Sequence, residues 1–217
     1  MILGTANFGN EYKGVHLLQS DCDEILDAAW AYGIRKVETA ASYGNSESMI
    51  KHYIAETSRH FQVYTKGRSR EDYENSKVLF GDDLYHWLWH WRPDESNYVD
   101  DYCDGISMYS VENVDFPARL KTIEVPWNIL DRRHSKTVEQ AKQWNVEVIA
   151  RSVFIRGEAF KMPPIAGLPF WVWCLQDMPD FDDFIVGVDS AAQLSEIVKA
   201  PKNVKLVYGD PLDWVAT

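Results

Sequence analysis

A chain of 217 residues, 46% hydrophobic and 25% charged, has the size and balance of one globular domain with a sizeable core, which excludes disordered and fibrous classes and predicts a single domain over residues 1–217. A formal net charge of −11 opposes phosphate backbones and anionic lipid surfaces, so neither a nucleic-acid nor a membrane partner is expected. Cys22, Cys103 and Cys174 are far apart and show no C-x-x-C spacing, and no apolar run approaches a membrane span; these features predict a reduced, cytoplasmic protein with neither a disulfide framework nor a zinc knuckle.

In chain order, Ile2–Thr5 reads as a first strand, and Gly4, Gly9 and Gly14 read as turn residues because no Lys-Ser or Lys-Thr follows to make a phosphate loop. A helix is expected over Asp21–Tyr32, opened by Ser20 with Asp23 and ended by Gly33. Strand Lys36–Thr39, helix Ser46–Glu56 and strand Gln62–Thr65 follow. Asp83–Trp89, Gly105–Tyr109 and Thr122–Val125 read as three further strands, then come helix Ser135–Trp144 and strand Val146–Ala150. Strand Phe184–Val188 and helix Ala191–Val198, with Ser190 and Gln193 as a capping pair, close the pattern. Between Ser69 and Phe80, and between Phe154 and Phe181, no clear period is visible.

Eight apolar runs alternating with amphipathic stretches predict an α/β fold, a (β/α)8 TIM barrel, compact, with trimmed helices and loops because the chain is near the lower size limit of that fold. No G-x-G-x-x-G follows a strand, so a Rossmann nucleotide site is not expected. Barrel chemistry sits at the carboxyl ends of strands, and here those ends are polar: Glu38, Tyr43, Lys66, His90, Ser107, Glu124, Asn128, Arg151 and Asp189. His86, four residues before His90 on the same face of the strand, is read as a packing residue.

The segment Glu38-Thr39-Ala40, followed by Tyr43-Gly44 and Ser46-Glu47, resembles the aldo-keto reductase family. So do Thr65-Lys66, Trp89-His90-Trp91, Gly105-Ile106-Ser107, Glu124 to Asp131, Ala150-Arg151-Ser152 and Gly187 to Ser190, in the family's order. The resemblance implies reduction of a small-molecule carbonyl, an aldehyde or ketone, with NADP or NAD as cofactor. It implies Tyr43 as general acid, Lys66 and Glu38 as the pair that acidifies it, and His90 as the group orienting the carbonyl. By the same resemblance Ser107, Glu124, Asn128, Arg151, Asp189, Ser190 and Gln193 are expected at the cofactor, and Trp91 and Trp127 along the substrate pocket. The chain departs from the family's pattern at Glu38 (aspartate in the family), Met108 (asparagine) and Glu124 (glutamine), and Asp189 near the last helix implies weakened preference for NADPH. No bound metal belongs to this scheme. Two other readings stay open on the residues alone: a metal-dependent sugar isomerase or hydrolase using Glu38, His90 and Glu124, and a catalytically impaired barrel acting as a binding module.

Overall fold

The computed structural model describes residues 1–11, 14–90, 102–109, 120–176 and 178–201. Eight parallel strands close into a barrel in sequential order: β1 Ile2–Gly4, β2 Lys36–Glu38, β3 Gln62–Gly67, β4 Leu84–His90, β5 Gly105–Ser107, β6 Thr122–Pro126, β7 Glu147–Arg151 and β8 Asp183–Gly187. The expected strands are all present, with ends shifted by a residue or two. Helices α1 Gln19–Ala31, α2 Ser46–Thr57, α3 Arg70–Phe80, α4 Ser135–Gln143, α5 Phe170–Gln176 and α6 Ala191–Val198 pack outside.

The first helix begins earlier than its sequence suggests. Ser20 lies inside α1, and Asp21 provides the cap by accepting the Leu18 backbone N–H at 2.8 Å. A carboxylate three residues into a helix serves an orphan N–H and favours the positive helix end, which makes Ser20 unnecessary as a cap. At α6 the expected Ser190 cap is present: its hydroxyl accepts the Gln193 N–H at 3.2 Å, while Gln193 Oε1 accepts the Asp189 N–H. The segment around α3, unreadable by period, is a helix capped by Ser69 and Asp72.

Strand register sorts the barrel interior into layers, because paired residues on neighbouring strands face the same side. Ile2, Tyr64, Ile149 and Ile185 form an apolar layer. Below it Lys36 pairs with Asp183 at 3.0 Å, and above it stand Glu38, Lys66, His90, Ser107 and Glu124. Gly4 makes room at this level, since a Cβ there would lie 2.7 Å from Ile185 Cγ2. Residues of opposite parity, such as Val37, Val63, Ile123, Val125 and Val148, are buried against the helical shell. The three cysteines are free and buried, and no helix among the described residues is long and apolar enough to cross a membrane.

Candidate active site

Lys66 ends the apolar run of β3 with its side chain inward and 1% exposed, in a place that only paired charges tolerate. Its ammonium touches the Glu38 carboxylate from β2, lies 3.4 Å from Glu124 Oε2 of β6, and donates to the Thr39 carbonyl at 3.1 Å. Burial pulls the Lys66 pKa down to about 8, and the Glu124 carboxylate resists that pull. Glu38 and Glu124 are themselves 4% and 1% exposed, so the cation is enclosed with both carboxylates away from solvent.

Tyr43 stands in the turn between β2 and α2, with the Lys66 ammonium 5.2 Å from its ring centre. Three hydroxyls pin that turn: Thr39 Oγ1 donates to Ser46 Oγ at 2.9 Å, Ser46 Oγ donates to the Thr5 carbonyl at 3.0 Å, and Thr5 Oγ1 donates to the Glu38 carbonyl at 2.9 Å. Gly44 follows with φ +57°, a conformation that favours glycine, and a Cβ there would also force the Asn10 side chain to shift. Glu47 accepts hydroxyl hydrogens from Thr65 at 2.7 Å and Ser76 at 2.8 Å, tying α2 to β3 and α3; burial raises its pKa.

His90, at the end of β4, meets Tyr43 edge to face with ring centres 6.3 Å apart. Its Nδ1 is 3.4 Å from Ser42 Oγ, and its Nε2 is 2.5 Å from the hydroxyl of Tyr109. His86 lies a layer deeper, its ring 5.3 Å from that of Tyr64. Tyr109 was not among the residues marked out by the sequence, although it shares the inward parity of Ser107 two positions earlier. The Arg151 guanidinium lies over the Tyr109 ring at 4.2 Å and donates from Nη2 to the Met108 carbonyl. Burial keeps the Tyr109 phenol above its usual pKa.

A cavity of about 680 Å³ opens over this end of the barrel. Tyr43, Glu38 and Tyr109 line it together with Arg151, Asp189 and Gln193. Arg156 and Lys161, which the sequence did not mark, lie on the same wall. Two buried polar atoms on its lining residues, Arg151 Nε and Asn7 Oδ1, have no hydrogen-bond partner among the described residues.

The other expected site residues have the following neighbours. Asn128 spends its amide on backbone groups, donating to the Ser152 carbonyl just past β7 at 3.2 Å and accepting from the Leu130 N–H of its own loop at 3.0 Å. Ser107 is wholly buried, and Glu124 addresses Lys66. Ser190 caps α6. Trp127 does not line the cavity; its ring packs on Phe181 at 5.1 Å beneath Arg132, on the outer side of β6. Strand parity explains this, since Pro126 pairs with Arg151 and the next residue points the other way. Trp91 lies outside the described residues. The Lys66 ammonium fills the space between Glu38 and Glu124 that a metal ion would need, and among the described residues no three His, Cys, Asp or Glu side chains are grouped to hold one.

Residues 1–83 match the aldo/keto reductase family. No curated protein matches the chain. Solved structures share the fold at low identity. The glycerol dehydrogenase of Gluconobacter oxydans is 17% identical with a TM-score of 0.70, over 99% of this chain and 89% of its own. An aldo-keto reductase from Bacillus halodurans in its holo form is 16% identical with a TM-score of 0.72, over 94% and 87%. An aldo-keto reductase from a Medee basin deep-sea metagenome library is 16% identical with a TM-score of 0.69, over 99% and 90%.

Proposed function

We propose that this chain, whose residues 1–83 match the aldo/keto reductase family and whose strands close into a barrel, is an aldo/keto reductase that reduces a small aldehyde or ketone to the alcohol with a nicotinamide cofactor. The observation that carries this reading is the Lys66 ammonium, buried, held by two carboxylates and 5.2 Å from the Tyr43 ring. An ordinary phenol titrates near about 10, too high to exchange a proton readily at neutrality. A neighbouring cation favours the phenolate and makes Tyr43 a better acid. Glu38 keeps Lys66 in place through a charge-assisted contact, and Glu124 keeps it charged.

Tyr43 then protonates the carbonyl oxygen as the carbon is reduced, while His90 hydrogen-bonds the same oxygen and sets the carbonyl's orientation. The cavity fits a dinucleotide: the unpartnered Arg151 Nε and Asn7 Oδ1 offer a donor and an acceptor, and Arg156 and Lys161 add positive charge for phosphates. When bound, the reduced nicotinamide supplies the hydride. Asp189, which accepts from Asn7 Nδ2 at 2.9 Å, adds negative charge on that wall and disfavours a 2′-phosphate.

The test is titration of the purified protein with NADPH and NADH, read by tryptophan fluorescence, followed by aldehyde turnover in the wild type and in Tyr43→Phe. Saturable binding, with turnover that the substitution reduces at least a hundredfold while leaving cofactor affinity nearly unchanged, is expected. Turnover that survives Tyr43→Phe removes the proposed acid, and absence of binding to either nucleotide removes the reductase reading.

A further inference from the structure

We propose that Tyr109 is a specificity-determining residue of this centre, its hydroxyl occupying the His90 nitrogen that an incoming carbonyl oxygen must take over; the identity of that oxygen rests on the reductase reading above. His90 has two ring nitrogens. Nδ1 faces Ser42 Oγ at 3.4 Å, on the β2–α2 turn. Nε2 meets Tyr109, and Tyr109 forms part of the cavity wall, so the phenol stands between the buried Nε2 and an arriving ligand. At 2.5 Å the Tyr109 oxygen stands at the short end of hydrogen-bond contact, where the one hydrogen or lone pair of a ring nitrogen is already spoken for. A second oxygen cannot reach Nε2 while the phenol stays there.

Tyr109 is also held from its ring. The Arg151 guanidinium covers one face, and Arg151 is anchored on the carbonyl of Met108, the neighbour of Tyr109 in the chain. The His90 and Tyr109 rings lie 5.4 Å apart with 33° between their planes, and Tyr43 approaches the same imidazole edge-on. Two phenols therefore flank His90, with different neighbours. Tyr43 has the buried ammonium beside its ring and is suited to giving up a proton; Tyr109 has burial and stays a neutral phenol. A neutral phenol can donate to Nε2 or accept from Nε2–H, but a carbonyl can only accept. Exchange of one for the other selects the Nε2–H tautomer of His90 and favours carbonyls whose oxygen is a strong enough acceptor to displace a phenol.

The experiment uses Tyr109→Phe, which keeps the ring and its stacking and removes only the hydroxyl. Two measurements are made: steady-state kinetics with NADPH and 4-nitrobenzaldehyde, and 15N-histidine NMR of the nucleotide-free protein titrated with the same aldehyde, with the His90 signal assigned by its loss in His90→Gln. The expected result is a several-fold lower KM in Tyr109→Phe, the gain falling on KM and not on kcat. The His90 Nε2 resonance should differ between the two proteins and respond to aldehyde at lower concentration in the variant. A tenfold or greater loss of kcat at unchanged KM overturns exchange in favour of a proton-relaying phenol. Identical His90 signals and kinetics overturn it in favour of simple packing. If neither protein turns over but the aldehyde still perturbs His90 at lower concentration in Tyr109→Phe, the exchange stands and the reductase reading fails.

Discussion

Lys66 Nζ lies 3.4 Å from Glu124 Oε2, so this buried cation answers to a carboxylate from across the barrel as well as to Glu38 on the adjacent strand. That second carboxylate is what the sequence pattern alone would assign to the cofactor. Its position beside Lys66 makes it a group that holds the ammonium charged.

Glu124→Gln therefore lowers the Lys66 pKa below about 8, because it removes a charge that opposes the pull of burial. Less of Lys66 is cationic at pH 7, and turnover there should fall several-fold, with the limb of the pH–rate profile that reports Lys66 moving to lower pH. An unmoved limb contradicts the assignment. In the wild type this group also links stability to pH: its folded pKa lies below the roughly 10.4 of the unfolded chain, so the unfolded state binds the proton more tightly. Its contribution to stability rises as pH climbs from about 8 toward about 10.4.

Shortening Glu38 tests the other side of the pair. Glu38→Asp withdraws the carboxylate by one methylene while Thr39 and Glu124 still hold Lys66, so measurable aldehyde reduction should remain. Glu38→Ala removes a hydrogen bond between charged groups, a loss of roughly 1.5–3 kcal/mol, and should cost on the order of 10- to 100-fold in kcat/KM. Equal activity in the two variants would falsify the anchoring role.

His134 predicts an acid limit to stability. It is fully buried, and neither ring nitrogen has a hydrogen-bond partner among the described residues; burial lowers its pKa to about 4. The unfolded imidazole titrates near about 6.5, so the unfolded state takes up the proton first and stability falls as pH drops from about 6.5 toward about 4. Urea midpoints at pH 7 and pH 5 should differ less in His134→Phe than in the wild type. An unchanged difference assigns the acid loss to other groups.

Gly44→Ala combines a left-handed backbone position with a Cβ directed at Asn10. Destabilisation of about 1 kcal/mol or more is expected, lowering Tm by roughly 2–4 °C per kcal/mol. Because Gly44 follows Tyr43, turnover should drop more steeply than the loss of folded protein explains. A variant with wild-type kcat at a temperature where it is fully folded shows that the turn does not position Tyr43.

Asp189→Ala removes negative charge from the cavity wall and should tighten NADPH binding about tenfold relative to NADH, by fluorescence titration at low salt. Parallel changes for the two nucleotides place the 2′-phosphate elsewhere.

The order and number of strands were legible in the sequence, because buried parallel strands are short apolar runs bounded by polar residues, and that contrast is local. The sequence also brought Glu38, Lys66 and His90 to strand ends and Tyr43 to the turn after β2, where a closed barrel collects them at one face. What each side chain meets there depends on the closed fold. Along a strand the alternation of faces is visible, but which face looks inward is fixed by register around the closed sheet. That choice sends Trp127 outward onto Phe181, turns Glu124 toward Lys66, and carries Tyr109 inward, two residues past Ser107, onto His90. The α1 start escaped the sequence for a related reason: Ser20 and Asp21 both suit a helix entrance, and the backbone N–H that Asp21 actually serves is known only once the chain is folded.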